Sequence, residues 1–160
     1  MAIEKVKAFF AAQGRVEDVQ EFEVSSATVE LAAQALNTDG ARIAKTLALY
    51  DVDGGVMLIV VAGDAKIDNR KFREQYGHKA KFCSAEDTLS ATGHAVGGVC
   101  PFALEQPLPV YLDVSLRRFC TVFPACGSAN SVIELGVDEL ETLSGAAQWV
   151  DVCKGWQPEN

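Results

Sequence analysis

Residues 91–103, read A-T-G-H-A-V-G-G-V-C-P-F-A, form one of two features whose residue types suit chemistry on a carbonyl or an oxyanion. Three glycines in this stretch let backbone N–H groups approach a ligand closely, because no Cβ stands in the way. Pro101 fixes one φ angle and forces Cys100 towards an extended conformation. A shaped loop with exposed amides can hold an oxyanion or a carbonyl group. The alternative interpretation is a glycine-rich connection between two strands.

The second feature is a lysine on the inward face of a predicted strand. Residues 41–50 read as a strand whose period of two places Ile43, Lys45 and Leu47 on one face. Removing an ammonium group from water is costly unless a partner compensates it, so Lys45 is a candidate functional residue. Two alternatives stay open: an edge strand whose inward charge blocks aggregation, and a long stem that reaches the surface.

The elements that must position these residues are short. Helices are predicted over 3–13, 28–36, 69–76, 85–93 and 136–143, and strands over 19–24, 41–50, 56–62, 81–83, 109–114, 120–123, 131–135 and 149–152. Ser25 and Ser26 are candidate caps for the second helix, Asp68 for the third, and Ser84 opens the fourth. Residues 124–130 form a second irregular loop, and residues 154–160 read as a loose tail. This pattern predicts one α+β domain with a mixed, strongly curved sheet.

Length and composition indicate an ordinary globular protein. The 160 residues suit a single domain over 1–160, and a hydrophobic content of 49% excludes a disordered chain. No apolar run approaches the roughly 20 residues that span a bilayer, and residues 1–5 lack the apolar core of a signal peptide. We therefore expect a cytoplasmic protein with no membrane partner.

The cysteines predict neither disulfides nor a metal site. Their number, five, is odd and no C-x-x-C occurs, so most of them are expected to be small buried hydrophobes. A zinc nucleobase deaminase would need H-x-E, and His94 is followed by Ala95 and Val96. No metal and no cofactor are predicted.

The net charge of −8 argues against a broad basic surface for nucleic acid. A local basic rim around a site for one end of an RNA stays open, because one segment contains Lys66, Arg70, Lys71, Arg73, Lys79 and Lys81. The alternative is a solvated helix face.

Five motifs together carry a family resemblance. They are A-K-T-L at 44–47, L-I-V-V-A-G-D-A-K-I-D at 58–68, T-G-H-A-V-G-G-V-C-P-F at 92–102, Y-L-D-V-S-L-R-R-F at 111–119 and P-A-C-G-S-A-N at 124–130. In order and spacing they resemble the YbaK/EbsC-type editing domains associated with prolyl-tRNA synthetase. The resemblance spans nearly the whole chain.

This resemblance implies a barrel-like mixed sheet with peripheral helices, and a trans-editing activity. Family members hydrolyse the ester between a wrong amino acid and the 3′ end of a tRNA, commonly tRNA(Pro), usually without a metal. The implied partner is the 3′ end of an aminoacyl-tRNA, and prolyl-tRNA synthetase is a second candidate partner. A monomer and a homodimer both stay open.

The resemblance also implies site residues. The lysine of K-T-L maps onto Lys45, which would hold the α-carbonyl or the terminal ribose and phosphate. The G-G-x-x-P loop maps onto Gly97, Gly98, Val99, Cys100 and Pro101, whose N–H groups, Pro101 excepted, would stabilise an oxyanion. A positioned water and the neighbouring hydroxyl of the tRNA would complete the chemistry. The expected substrate-binding residues are His94, Phe102, Gly127, Ser128 and Asn130. His94 has a wall or hydrogen-bonding role in this interpretation, with general base as the alternative.

Three departures from the family pattern affect specificity. Val132 stands where cysteine-specific members carry Asp, and the H-P-x-x-N signature of the alanine-specific branch is absent, although Asn130 matches its Asn. Ala103 replaces the common glycine after P-F. We expect a small aminoacyl group such as alanine, cysteine, serine or a short non-protein amino acid. A non-catalytic module that binds aminoacyl-tRNA or a synthetase, and a structural or regulatory dimer, are the alternative functions.

Overall fold

The computed structural model describes residues 2–158. Its helices are α1 (Ala2–Ala12), α2 (Val29–Leu36), α3 (Asn69–Tyr76), α4 (Ala85–Thr92) and α5 (Val137–Ser144). Its strands are β1 (Val19–Glu21), β2 (Ile43–Tyr50), β3 (Val56–Ala62), β4 (Lys66–Ile67), β5 (Val110–Asp113), β6 (Thr121–Pro124), β7 (Ser131–Ile133), β8 (Leu135–Gly136), β9 (Gln148–Val150) and β10 (Cys153–Lys154). Short 3₁₀ turns cover Val16–Asp18, Gly40–Arg42 and Val114–Arg118. None of the helices within residues 2–158 is long and apolar enough to cross a membrane.

Six strands form the main sheet in the order β8-β6-β2-β3-β5-β9. The sheet is mixed, because β2 pairs antiparallel with β3 and parallel with β6, while β3, β5 and β9 run parallel to one another. It curls into a half-barrel with the helices at its periphery. The predicted fold class, α+β with a mixed, barrel-like curved sheet, is confirmed.

The β2–β3 hairpin is the centre of this sheet. Asp51 Oδ1 accepts hydrogen bonds from the backbone N–H groups of Asp53 and Gly55, both at 2.9 Å, which closes the tight turn between the strands. Six of the seven residues of β3 are buried, as its continuous apolar sequence V-M-L-I-V-V-A predicts for a central strand. Lys45 faces Val61 in the register of this pair.

The core lies in the concavity of the sheet. Helix α1 contributes Phe9 and Phe10, whose rings meet Phe102 at centroid distances of 5.7 and 5.0 Å. A smaller apolar cluster lies where α2 packs over the start of β2, and its buried members are Ala32, Ile43, Phe123 and Val132. The two clusters pack α1 and α2 against the sheet.

Several predicted boundaries are wrong for local reasons. Thr28, not Ser25 or Ser26, caps α2, because its hydroxyl accepts the Leu31 N–H at 3.1 Å. The predicted strand 81–83 is a single bridge between Phe82 and Leu49. The predicted strand 131–135 is interrupted at residue 134 and pairs with two different strands, β1 and β6.

A loose tail was predicted over 154–160, and this prediction is wrong at Lys154, which lies in a strand. Residues 159–160 lie outside the described residues. Cys153 and Lys154 form β10, which pairs antiparallel with β4. Trp156 then packs its ring 5.1 Å from the Arg118 guanidinium. The chain therefore returns to the main body after β9, and β4 is a strand that the sequence pattern did not predict.

Candidate active site

A half-open cavity of about 390 Å³ brings Lys45 together with part of the segment 93–103, which is called the glycine loop below. One wall comes from the segment that opens α2, a second from β2, and a third from residues 96–99. The remaining wall is mainly apolar. The lining residues are Ser26, Ala27, Thr28, Val29, Ala32, Ile43, Ala44, Lys45, Thr46, Leu47, Ala48, Phe82, Cys83, Thr88, Val96, Gly97, Val99, Phe123, Ala125 and Val132.

Lys45 lies on a strand that is paired on both sides, so its backbone is rigid. Its side chain is half-buried, and no salt-bridge partner lies within 4.0 Å of it in the described part of the chain. Burial lowers the pKa of the Lys45 ammonium below its ordinary range, and the charge of Lys66 lowers it further. The carboxylates of Asp64 and Glu30 act in the opposite direction. Lys45 is thus a fixed cation without a dedicated counter-ion among residues 2–158.

The glycine loop follows α4 and is held in an unusual conformation. Gly97 has a φ of +99°, which a side chain would strain. The Gly98 N–H donates to the Ala95 carbonyl at 3.0 Å, so this amide is already occupied. No protein acceptor within residues 2–158 takes the N–H groups of Gly97 and Val99, and both residues line the cavity. The Val96 N–H also lacks such an acceptor, and Gly97 and Val99 are the two candidate donors within the G-G-x-x-P motif.

The second irregular loop, residues 124–130, packs against the glycine loop. A Cβ on Gly98 would lie 2.6 Å from the Ser128 backbone nitrogen, so the two backbones are in direct contact. The Ser128 hydroxyl bonds to Asn130 Oδ1 at 2.9 Å, and Asn130 Nδ2 donates to the Phe22 carbonyl at 2.7 Å. Gly127, Ser128 and Asn130 lie outside the cavity lining, although the sequence predicted substrate contacts for them. Their described contacts brace the loops.

His94 stands near the start of the glycine loop, and its side chain is fully buried. Its Nε2–H donates to the Phe102 carbonyl at 2.8 Å, which joins the two ends of the loop. Burial lowers the pKa of His94, and the nearby Lys5 charge adds to this shift against the effect of the Phe102 hydrogen bond. The neutral imidazole is a brace inside the protein. The cavity lining does not include it, so its predicted substrate-binding role stays a prediction.

Cys100, Pro101 and Phe102 point into the protein body rather than into the cavity. All three are buried, and none of them lines the cavity. Burial raises the pKa of the Cys100 thiol to about 12. Of the loop residues predicted to be catalytic, the structure places Gly97 and Val99 on the cavity with Lys45, and Gly98 and Pro101 in supporting positions.

The cavity offers few groups for proton transfer. No Asp, Glu or His is among its lining residues, and the only side chains there that titrate are Lys45 and Cys83. Burial, followed by the charge of Asp87, raises the pKa of the Cys83 thiol to about 11, so a thiolate nucleophile is disfavoured at neutral pH. Within residues 2–158, no three His, Cys, Asp or Glu side chains are grouped as a metal would require.

Several residues that line the cavity were not identified by the sequence analysis. The Thr46 hydroxyl is buried without a hydrogen-bond partner in the described residues, and Thr88 is buried beside the same cavity. Phe82 and Val96 stand at the rim with 56% and 67% of their surfaces exposed. An aromatic side chain in the otherwise polar run that follows α3 was the only signal for Phe82.

The basic segment lies outside this lining. Arg70, Arg73 and Lys79 line a separate surface depression of about 660 Å³ on α3. Lys66 lies on β4 and lines neither of the two cavities.

Comparison with known proteins places this geometry in a family. The family model described as "Aminoacyl-tRNA editing domain" matches residues 23–143. The "Uncharacterized protein YwhH" of Bacillus subtilis (strain 168) is 52% identical over 157 residues, which is 98% of this chain and 100% of the relative.

Two further relatives have names that state an activity. The "Putative Cys-tRNA(Pro)/Cys-tRNA(Cys) deacylase EbsC" of Enterococcus faecalis (strain ATCC 700802 / V583) is 25% identical over 118 residues, 73% of this chain and 72% of the relative. A crystal structure of "a putative trans-editing enzyme for prolyl tRNA synthetase" superposes with a TM-score of 0.85 at 30% identity, covering 96% of this chain and 98% of that one. The family model covers far more than half of the chain, and the fold agrees along almost its whole length. The chain belongs to the aminoacyl-tRNA editing domain family.

Proposed function

We propose that this protein is a trans-editing aminoacyl-tRNA deacylase that removes a small wrong amino acid from tRNA(Pro). The observation that carries the proposal is the shared cavity, which Lys45 lines together with Gly97 and Val99, whose N–H groups have no protein acceptor within residues 2–158. A fixed cation and two backbone donors form an arrangement suited to the carbonyl of an ester. The relatives named as a deacylase and as a trans-editing enzyme support the same reaction class.

The reaction is the hydrolysis of one ester bond. The oxygen of a water attacks the carbonyl carbon, and the carbonyl oxygen becomes negatively charged in the tetrahedral intermediate. The N–H groups of Gly97 and Val99 stabilise this oxyanion; a single donor of this kind is worth about 2.7–4 kcal/mol in other enzymes. The bond to the ribose oxygen then breaks, and that oxygen leaves as a hydroxyl after taking a proton derived from the water.

The proton does not need a side-chain base in this scheme. The cavity lining has no carboxylate or imidazole, whereas the terminal ribose of a tRNA carries a second hydroxyl beside the ester. That hydroxyl can orient the water and relay its proton, because binding fixes the two groups next to each other. Lys45 then acts as an electrostatic and positioning group for the carbonyl or the ribose, not as a nucleophile.

The lining also restricts the aminoacyl group. The cavity volume of about 390 Å³ must contain part of the terminal nucleoside as well as the amino acid. Apolar residues dominate the wall beside β6, where Phe123, Ala125 and Val132 lie. We expect a small, uncharged side chain. A tRNA charged with a small wrong amino acid needs a separate editing step, because one methylene group gives a synthetase only about 1–3 kcal/mol of discrimination.

The test is hydrolysis of a panel of mischarged tRNAs, centred on tRNA(Pro), by the native protein, by Lys45→Ala and by Lys5→Ala. Lys5 is an exposed lysine paired with Glu105 at 2.8 Å, so its variant controls for the loss of a positive charge alone. The native protein and Lys5→Ala are expected to release one small amino acid, and Lys45→Ala is expected to lose this activity. Hydrolysis at the spontaneous rate on every member of the panel would refute the catalytic function.

A non-catalytic module that captures aminoacyl-tRNA or prolyl-tRNA synthetase is the second candidate function. The observation in its favour is that the cavity lining has no carboxylate and no imidazole to transfer a proton. Binding of a mischarged tRNA without turnover, measured on the same panel, would support this module and reject the deacylase.

A further inference from the structure

Two lysines face each other across the small β4–β10 ladder. Lys66 and Lys154 are direct partners in its antiparallel register, and both residues are exposed. Like charges directly opposite each other destabilise a strand pair. Neither lysine forms a salt bridge with any residue in the described range 2–158. Among the described residues, this pairing of like charges is unfavourable by itself and becomes favourable once an anion lies between the two ammonium groups.

The lysine pair lies close to Lys45 of the candidate active site. Strand β3 ends at Ala62, which pairs with Ala44 beside Lys45, and β4 begins only four residues further along the chain. The pKa of Lys45 is lowered in part by the charge of Lys66, in agreement with this proximity. Lys45, Lys66 and Lys154 therefore form one positively charged region that begins at the cavity.

The carboxylates near this region have other partners. Asp64 is held by both terminal nitrogens of Arg118, at 2.8 and 2.5 Å. Asp68 caps α3 and accepts the N–H groups of Arg70 and Lys71 at 3.0 and 3.2 Å. Asp64 is thus shared with Arg118, whereas Asp68, whose pKa is lowered first by its hydrogen bonds to the backbone of α3, also interacts with the charge of Lys154. The three cations Lys66, Lys154 and Arg118 still exceed the two carboxylates by one positive charge, on a chain whose net charge is −8.

We propose that Lys66 and Lys154 form a phosphate-binding site for the single-stranded end of an RNA whose terminal nucleotide enters the Lys45 cavity. This inference rests on the proposed function and adds to it the path of the RNA backbone. Two ammonium groups on a strand ladder can neutralise consecutive phosphodiesters without reading sequence. Arg73 and Lys79, which line the depression on α3 together with Glu74, are further candidate phosphate contacts.

The direct test measures binding without catalysis. A short hairpin RNA with an uncharged, single-stranded 3′ tail is titrated with the native protein and with the Lys66→Ala/Lys154→Ala double variant, at about 50 to about 200 mM salt. Two lost phosphate contacts to a single strand should reduce the slope of log Kd against log salt by about 1.4. The Lys66→Arg/Lys154→Arg variant keeps both charges and should restore most of the slope.

The matched control removes two lysines that are already paired. Lys5 and Lys7 bond to Glu105 and Glu21, each at 2.8 Å, so Lys5→Ala/Lys7→Ala should leave the salt dependence unchanged. An unchanged slope in the Lys66/Lys154 alanine variant would overturn the proposal. The proposal would also be overturned if the Lys66/Lys154 alanine variant lost binding of inorganic phosphate but bound the RNA normally. The site would then bind a small phosphate and not the RNA backbone.

Hydrolysis of a mischarged tRNA separates this inference from the function on which it rests. The alanine double variant should show a raised KM with little change in kcat, because the phosphates are bound equally in the ground state and the transition state. RNA binding that depends on the lysine pair, without any hydrolysis by the native protein, would keep the phosphate site and reject the deacylase. Hydrolysis with an unchanged KM in the double variant would keep the deacylase and reject the phosphate site.

Discussion

Lys45 shows at the residue scale how environment sets the role of a side chain. Strand pairing fixes its backbone, burial lowers the pKa of its ammonium, and no salt bridge to a residue in the range 2–158 holds its charge. A charge with so little compensation inside the protein is suited to a ligand that brings negative charge. Cys83 on the same cavity has the opposite property, because its raised pKa keeps the thiol neutral.

His94 gives a pH-dependent prediction at the same scale. Its folded-state pKa lies below that of the unfolded chain, so the unfolded state binds more protons as the pH falls below about 6.5. The stability that the neutral form contributes is complete above this pH and is lost as the pH falls towards the folded-state pKa. We expect the free energy of unfolding to decrease by up to about 1.4 kcal/mol per pH unit between about pH 6.5 and pH 5.5.

Urea unfolding of the native protein, His94→Gln and His78→Gln across this pH range checks the prediction. His94→Gln has no imidazole to protonate and should lose this part of the pH dependence. His78 is half-exposed, so His78→Gln is the control for replacing a histidine outside the buried loop. Parallel curves for the native protein and His94→Gln would contradict the role of the buried imidazole.

The glycine loop and the second irregular loop act as one unit at the element scale. The backbone of Gly98 rests on that of Gly127 and Ser128, and the Ala129 carbonyl accepts the Ser26 N–H at 2.6 Å. The second loop therefore positions two cavity walls at once, the glycine loop and the segment that opens α2. This explains why residues outside the lining can still be required for its geometry.

Gly98→Ala tests this coupling. The new Cβ would lie 2.6 Å from a backbone nitrogen and 2.8 Å from a backbone carbon, neither of which can rotate away. We expect a loss of about 1–3 kcal/mol in the free energy of unfolding. We also expect a roughly 10²-fold lower deacylation rate, because the free N–H groups are displaced.

Gly77→Ala is the control for a change of glycine to alanine. Gly77 ends α3 with a φ of +80°, and a Cβ there would meet no atom within 4 Å. This variant should lose only about 1 kcal/mol of stability and keep its activity. A Gly98→Ala protein with native stability and rate, measured by urea unfolding and by deacylation, would show that the two loops are not coupled.

At the scale of the whole molecule, the distribution of charge and the packing of residues 153–156 against the main body determine where an RNA is expected to bind. Residues 66–81 contain six Lys and Arg and two acidic residues, a net charge of +4 in a chain of −8. An RNA is therefore expected to approach through this segment, because the rest of the surface repels it. The chain end keeps the lysine pair in register, since β10 pairs with β4 and Trp156 contacts Arg118.

Arg118→Lys should weaken this connection. The guanidinium bonds to both oxygens of Asp64 and to the Ser115 carbonyl at 2.9 Å, and it stacks on Phe119 at 4.8 Å and on Trp156. A lysine cannot reproduce the planar, two-pronged contact. We expect a loss of about 1–2 kcal/mol in the free energy of unfolding, with faster hydrogen exchange of the β10 amides.

Arg70→Lys is the matched control, because Arg70 is 88% exposed on its side chain and pairs with Glu74 at the α3 surface. Its effect should stay within about 0.5 kcal/mol. Equal stabilities of the two variants in denaturant titrations would show that the Arg118 contacts do not hold the chain end.

Most of the secondary structure and the family could be predicted from the sequence. The apolar run of β3 and the Asp68 cap depend on local periodicity and local hydrogen bonding, and the structure has them where the sequence analysis predicted them. The motif order indicated the editing domain family, and residues 23–143 match it. The strand that carries Lys45 was also predicted, and the period of two in a strand determines which residues share a face with it.

Only the tertiary structure decided which groups reach the cavity. A glycine loop has no period, so its sequence does not determine that Gly97 and Val99 offer free amides while Gly98 is occupied and Cys100 is buried. The partnership of Lys66 with Lys154 depends on the packing of segments far apart in the chain. Local rules fix what each segment forms, whereas the contacts between distant segments decide which side chains meet.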